Sequence, residues 1–189
     1  KELSGLTEYD YKEIVLDWNS TERQYQHEKT MHTLFEEQAV KYPDNVALEC
    51  EGETITYQAL NYRANQIARV VTKKYQESTG LELQPDTLLL LLAKRGIDVI
   101  SGMLGIMKAG AAYVPVDPKN PMERIQFIFS DCNAALLVTQ SHLNVVKEMA
   151  GESPESLRNS IFLDKPEYFS SFDTSNLSSK NGPQNLAYV

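Results

Sequence analysis

Apolar positions follow two regimes along the chain: helical spacing in the first part, then short apolar runs alternating with helical stretches from Thr87 onward. Residues 1–29 are polar and rich in tyrosine, with helical spacing only from Asp10 to Trp18, where Ile14 and Trp18 share a face. This predicts a leading arm that docks through Trp18. From Thr30, the residues Met31, Leu34, Phe35 and Ala39 make one stripe, Lys41 stands in the last turn, and Pro43 forbids continuation, so a helix with that stripe in the core is expected. Val46–Cys50 and Thr54–Thr56 flank Glu51-Gly52-Glu53 as a β-hairpin. Thr56 then caps a helix carrying Tyr57, Leu60, Ala64, Ile67, Ala68 and Val71 at helical spacing, and the polar stretch 73–84 reads as a loop closed by Pro85-Asp86.

In the second regime, Leu88–Leu92 is a continuous apolar strand of the kind covered on both faces. Ile97–Ala109 is a helix apolar nearly all round and therefore buried. Gly102, Gly105 and Ala109 form a small-residue stripe along it; each glycine costs about 1 kcal/mol of helix propensity, which close approach of a neighbour would offset. Lys108 sits where a cation favours a helix C-terminus, and Gly110 suits the left-handed position that ends the helix. A strand over Ala112–Val114 and a helix over Pro121–Asp131 follow, the latter with Asn120 as cap, Pro121 in the first turn, Glu123 in a capping box, and Met122, Ile125 and Phe129 inward. Ala135–Thr139 is a strand, Ser141–Ala150 a helix stopped by Gly151, and Ser160–Leu163 a further strand. The Ser-, Asn- and Gly-rich stretch from Asp173 to Gln184 reads as a mobile loop, and Asn185–Val189 begins another strand. Strand–helix alternation of this kind implies an α/β fold with a mostly parallel sheet flanked by helices, preceded by the arm and the hairpin.

A chain of 189 residues that is 42% hydrophobic can build a real core. Its net charge of -8 with scattered Lys and Arg argues against nucleic-acid binding, and the longest apolar run, Leu88–Ala93, is too short to span a bilayer. Cys50 and Cys132 are isolated and read as buried free thiols of a reducing compartment, so a soluble cytoplasmic protein is expected. The first residue is Lys1 and the last four resemble mid-strand, which points to a piece of a longer polypeptide.

Candidate chemistry is sparse. No G-x-G-x-x-G occurs, and Gly105 and Gly110 have the spacing of P-loop glycines but are followed by Ala111 and Ala112 where Lys and Ser or Thr are required. His27, His32 and His142 make no ligand pattern, and no serine sits in a G-x-S-x-G elbow. Asp117 lies just past a strand end, where open α/β sheets place ligands, but capping its own loop is the plainer reading. Lys94-Arg95, also past a strand end, reads as a solvated pair, with contact to an anion as the alternative.

The residues Lys108-Ala109-Gly110-Ala111-Ala112-Tyr113-Val114-Pro115-Val116-Asp117-Pro118, followed by Pro121 and Glu123-Arg124-Ile125, resemble the second core motif of nonribosomal peptide synthetase adenylation domains. Thr56-Tyr57-Gln58-Ala59-Leu60 resembles the first core motif, with Ala59 where Glu is usual, a change that removes a capping box at about 0.3–1.5 kcal/mol. Leu34-Phe35-Glu36-Glu37-Gln38-Ala39 with Pro43-Asp44 and Val46-Ala47-Leu48 is similar to the domain's opening, and Trp18-Asn19-Ser20-Thr21 to the linker from a condensation domain.

The resemblance implies a linker over 1–29 and the N-terminal part of an adenylation domain over 30–189, an incomplete subdomain. It implies a parent ligase of secondary-metabolite biosynthesis that uses ATP and Mg²⁺ to make an aminoacyl adenylate and load it on the phosphopantetheine thiol of a carrier domain. The partners implied are the rest of the domain, an upstream condensation domain and a downstream carrier. The family's phosphate loop normally follows a strand like Leu186–Val189, and its pocket, ribose-binding Asp and catalytic Lys come later, so no catalytic, substrate-binding or metal residue carries over and the piece by itself is expected to be inactive and to bind no cofactor. Thr56, Tyr57, Leu60, Lys108, Ala109, Gly110, Ala112, Tyr113, Pro115, Asp117, Pro118, Pro121 and Arg124 are signature residues with structural roles. A non-catalytic docking module derived from such a domain, or a piece of an acyl-CoA synthetase-like ligase, are the alternatives.

Overall fold

A computed structural model describes residues 5–152 and 157–189. The regular elements run α1 (Glu8–Tyr11), α2 (Met31–Lys41), the hairpin β1 (Val46–Cys50) and β2 (Glu53–Thr56), α3 (Tyr57–Thr79), β3 (Leu88–Leu92), α4 (Ile97–Ala109), β4 (Ala112–Val116), α5 (Met122–Asp131), β5 (Leu137–Thr139), α6 (Asn144–Glu152) and β6 (Ser160–Phe162). The last four strands form a parallel sheet in the order β4-β3-β5-β6, and Tyr188 bridges to Tyr113 on the outer edge of β4. The α/β class with a parallel sheet between helices stands as the sequence pattern requires.

Alternation along β3 divides the core. Leu89 and Leu91 point toward α3 and α4, where they meet Ile67, Val71 and Ile106; Leu90 and Leu92 point toward α5 and α6, where they meet Ile125, Val145 and Val146. All four leucines are buried, which is why the run reads as uninterrupted apolar sequence. Between α3 and α4 the backbones come close at Gly105: a Cβ there would lie 2.5 Å from Ile67 Cγ2. The small-residue stripe is a packing device.

Several boundaries differ from the pattern. The stretch 73–79 continues α3, since Lys73, Lys74, Gln76 and Glu77 are good helix formers and Lys73 pairs with Glu77 one turn on; Gly80, at φ 73°, ends the helix in the left-handed conformation. Gly151 lies inside α6, and the strands β4, β5 and β6 shift by one or two residues. Asn120 does not cap α5; Pro121 occupies that position without a side-chain bond, so the capping box at Glu123 is absent. Its place is taken by the turn around Asp117, which accepts from Lys119 N–H at 2.9 Å and Asn120 N–H at 3.0 Å. On α2 the core face is His32, Phe35 and Ala39, while Met31 is 63% exposed. Trp18 is 66% exposed at the end of a π-helical stretch, Lys12–Asp17, so the arm does not dock through it on any of the described residues; residues 1–4 of the arm lie outside them. Both cysteines are free but half-buried rather than buried.

The predicted mobile loop is instead a strap held across α3. Asn61, Asn65 and Arg69, four residues apart on one face, donate to Asn176 Oδ1 (2.8 Å), Thr174 O (2.7 Å) and Ser175 O (2.8 Å) respectively, and Gln66 reaches Ser170 O and Phe172 O at 3.0 Å each. Arg69 also pairs with Asp173. At the far end of the strap, His32 Nε2 meets Ser179 Oγ at 3.2 Å. The strap delivers the backbone of 187–189 alongside β4, where Tyr113 N–H donates to Ala187 O and Val189 N–H donates to Tyr113 O.

Candidate functional site

The loop after β3 leads to the α3/α4 face, whereas the loops after β4 and β5 lead to the α5/α6 face, so the connections diverge at the C-terminal ends of the strands around β3. An open α/β sheet places its ligand crevice at such a point. Among the described residues, two open clefts lie there. One, of about 840 Å³, lies between the β3 and β4 ends and the start of α6; the other, of about 830 Å³, lies between the β3–α4 loop, Gln140 and the β1–β2 hairpin. Lys94 and Arg95 line both.

Two of the rim loops are pinned by residues from elsewhere in the chain, and the third closes on itself. Buried Gln140 accepts Lys94 N–H through Oε1 at 2.9 Å and donates through Nε2 to Asp98 Oδ2 at 2.8 Å. Asp98 also takes Arg63 in an ion pair, and the same guanidinium donates to Leu163 O at 2.9 Å. The loop before α6 is held by Asp164, which accepts Ser141 N–H at 2.7 Å, Ser141 O–H at 2.8 Å and His142 Nδ1 at 3.1 Å. Burial would raise the Asp164 pKa, but these donors outweigh it and hold the carboxyl down at about 2. The β4–α5 loop is closed by Asp117 on its own backbone, the plainer of the two readings of that residue. Hydrogen bonds from the protein's own groups thus hold the loops that rim the crevice.

The signature residues lie mainly behind this rim. Leu60, Lys108, Ala109, Gly110 and Ala112 are buried; Thr56 caps α3 by accepting Ala59 N–H at 3.2 Å; Tyr57 stacks on Phe35; Tyr113 stacks on Tyr188; Pro115, Asp117 and Pro118 shape the β4–α5 turn; Pro121 caps α5 and Arg124 lies over the Phe127 ring. Lys108 does more than complement a helix end: its side chain is 1% exposed and ion-paired with Glu36 of α2. Burial lowers its pKa, and the Glu36 carboxylate opposes that shift. His32, beside this pair, is driven below its ordinary pKa by burial, against the field of Glu36 and together with that of Lys108. Among the described residues no group of three or more His, Cys, Asp and Glu side chains converges to hold a metal. Lys119 and Asn144 on the first cleft and Gln140 beneath the loops were not singled out by sequence. Lys119 carried a usable signal, a second cation just past a strand end; Gln140 carried none, because its partners are some 42 and 46 positions away.

Comparison with known proteins accords with this architecture. Residues 35–189 match the family model of the AMP-binding enzyme. Over its whole length the chain is 41% identical to part of tyrocidine synthase 3 of Brevibacillus parabrevis and, again over its whole length, 38% identical to part of gramicidin S synthase 2 of Brevibacillus brevis. It spans only 3% and 4% of those proteins. Among solved structures, the AMPPNP-bound nonribosomal peptide synthetase FmoA3 superposes on 94% of this chain and 18% of its own with a TM-score of 0.77 at 23% identity, a likeness of fold. The N-terminal subdomain of Klebsiella oxytoca NpsA covers 62% of this chain and 29% of its own with a TM-score of 0.52 at 27% identity. No helix among the described residues is long and apolar enough to cross a membrane. The chain belongs to the AMP-binding enzyme family and is homologous, over its own length, to the N-terminal portion of peptide synthetase adenylation domains.

Proposed function

We propose that this chain is the opening part of a peptide synthetase adenylation domain, with residues 1–29 as the linker from a condensation domain and 30–189 as the start of the AMP-binding unit. The whole protein then activates an amino acid with ATP and Mg²⁺ to an aminoacyl adenylate, releases pyrophosphate, and loads the product on the phosphopantetheine thiol of a carrier domain, working in the cytoplasm. The 189 residues alone are not catalytically competent. The observation that carries this reading is that three polar signature residues are engaged within the fold: Lys108 by Glu36, Asp117 by its own loop and Thr56 by its helix. They build the scaffold for chemistry performed by other residues.

The test is amino-acid-dependent ATP–pyrophosphate exchange. The isolated chain is expected to give none, whereas the polypeptide extended through a complete adenylation domain gives exchange with one amino acid or a few. Exchange by the isolated chain overturns the assignment of a scaffold role.

A further inference from the structure

Lys94, Arg95 and Lys119 are exposed and take part in none of the ion pairs found among the described residues, while six other cations of this acidic chain do: Lys29, Arg63, Arg69, Lys73, Lys108 and Lys180 each face a carboxylate. What sets these three apart from the other cations without an ion pair is their place: all three line the cleft between β3, β4 and α6. The one acid among its described lining residues, Asp117, is committed through Oδ1 to the N–H of Lys119, so the cleft keeps a positive excess. Asn144 and Val145, the first residues of the nine-residue helix α6, line the opposite wall. The first N–H groups of a helix have no intrahelical acceptor and carry the positive end of its dipole. The remaining wall is apolar, from Leu91, Val99 and Val116, and lowers the local dielectric around these charges.

We propose that this cleft is an oxyanion site that takes the phosphate or diphosphate group of a ligand between Lys94, Arg95, Lys119 and the N-terminus of α6. Two independent features point there, the side-chain cations and the helix start, and they come from three separate loops. The loops are pinned by Gln140, Asp117 and Asp164, so the charges are presented without a further ordering cost beyond their own side chains. The neighbouring cleft is a poor alternative although Lys94 and Arg95 border it too: Glu51 and Glu53 of the hairpin line its far wall, and its Arg63 is already paired with Asp98. The assignment rests on this geometry alone and is independent of the adenylation reading.

The test uses the full chain in amide-resolved NMR, titrated with inorganic phosphate and separately with inorganic diphosphate, against sodium chloride matched in ionic strength. Saturable shifts are expected at the amides of Gly96, Lys119, Asn144 and Val145, larger with diphosphate and absent with chloride. Arg95→Gln and Lys119→Gln are each expected to weaken binding about tenfold, since a charge-assisted contact to the anion is lost. The triple variant Lys94→Gln, Arg95→Gln, Lys119→Gln should abolish saturation, while Lys41→Gln on the far end of α2 leaves the affinity unchanged. The same shifts with chloride, undiminished binding by the triple variant, or equal weakening by Lys41→Gln would each overturn the proposal. Because these side chains are exposed, spectra of the variants away from the cleft report directly that the fold is intact.

Discussion

Replacing Gly105 with alanine tests whether the small-residue stripe on α4 exists for helix packing. Judged by propensity alone, the substitution should stabilise a helix interior by about 1 kcal/mol. The structure reverses the sign. The new Cβ would lie 2.5 Å from Ile67 Cγ2, 2.8 Å from Ile67 Cβ and 3.3 Å from Ala64 O. Carbon atoms in good contact sit about 3.5–4.0 Å apart, and Ile67 Cβ moves only with the α3 backbone, so the helices must separate by roughly 1 Å. Ile67, Ala64 and Ile106 are fully buried there, and the displacement propagates into the core. Overpacking of this kind costs about 1–3 kcal/mol; with contacts this short the upper half of that range applies, leaving a net loss of about 1–2 kcal/mol after the propensity gain. Urea denaturation monitored by far-ultraviolet circular dichroism measures it. Two comparisons make the result specific. Gly102→Ala, whose Cβ meets only the Leu163 and Leu91 methyls at 3.0 and 3.1 Å, should cost less, and Gly151→Ala, with nothing within 4 Å, should be neutral or slightly stabilising. A Gly105→Ala chain as stable as the parent, or a reversal of the order Gly105, Gly102, Gly151, refutes the packing argument.

The remaining predictions concern the polar anchors. Glu36→Leu strands the buried Lys108 ammonium and should cost about 3 kcal/mol, more than Lys108→Met, whose orphaned carboxylate is 18% exposed and can hydrate; equal losses in a denaturant titration would contradict this. Asn65→Ala leaves Thr174 O without its donor and Asn176 Oδ1 with Asn61 alone, and should cost about 1–3 kcal/mol, with faster amide exchange in 173–179 than in β3. Asp164 has a depressed folded-state pKa of about 2, so its stabilisation is complete above the unfolded value near 3.9 and lost as pH falls through about 2; the stability gap between wild type and Asp164→Asn should therefore close over that window. His32 has a lowered folded-state pKa, so the unfolded chain binds more protons below its own value near 6.5 and stability should fall as pH drops through that range; His32→Gln, which keeps a hydrogen-bonding side chain facing Ser179, should flatten this limb.

Periodicity revealed the alternation of elements because burial dictates it directly. Leu88–Leu92 is apolar throughout since both sheet faces are covered, and α3 and α4 show their stripes for the same reason. The strap did not show itself. Its composition from Asp173 to Gln184 is that of a free loop, and the groups that restrain it, Asn61, Asn65, Gln66 and Arg69, lie more than 100 positions earlier on α3. A polar row at four-residue spacing reads as a solvated face when its partner is distant in sequence. Trp18 erred in the other direction: a large apolar side chain normally implies a burial site, yet this one finds none among the described residues.

The signature from Lys108 to Arg124 identifies the family because its positions carry geometric demands that few residue types meet. Gly110 stands at φ 97° with Lys180 Cβ 3.1 Å from where its own Cβ would be, so both conformation and space exclude a side chain. Lys108 must reach from the end of α4 to Glu36 on α2, a span that needs a long cationic side chain. Demands of this sort are local enough to be written as a motif. The charges around the crevice obey a different logic. Lys94, Arg95 and Lys119 are exposed and tolerate exchange as far as folding is concerned; what makes them a site is that Gln140, Asp117 and Asp164 fix the loops that carry them. A binding surface assembled from separate loops leaves only a faint mark in any one stretch of sequence, whereas the scaffold beneath it leaves a strong one, and for that reason the family was legible here while the crevice showed only as Asp117 and Lys94-Arg95 just past their strand ends.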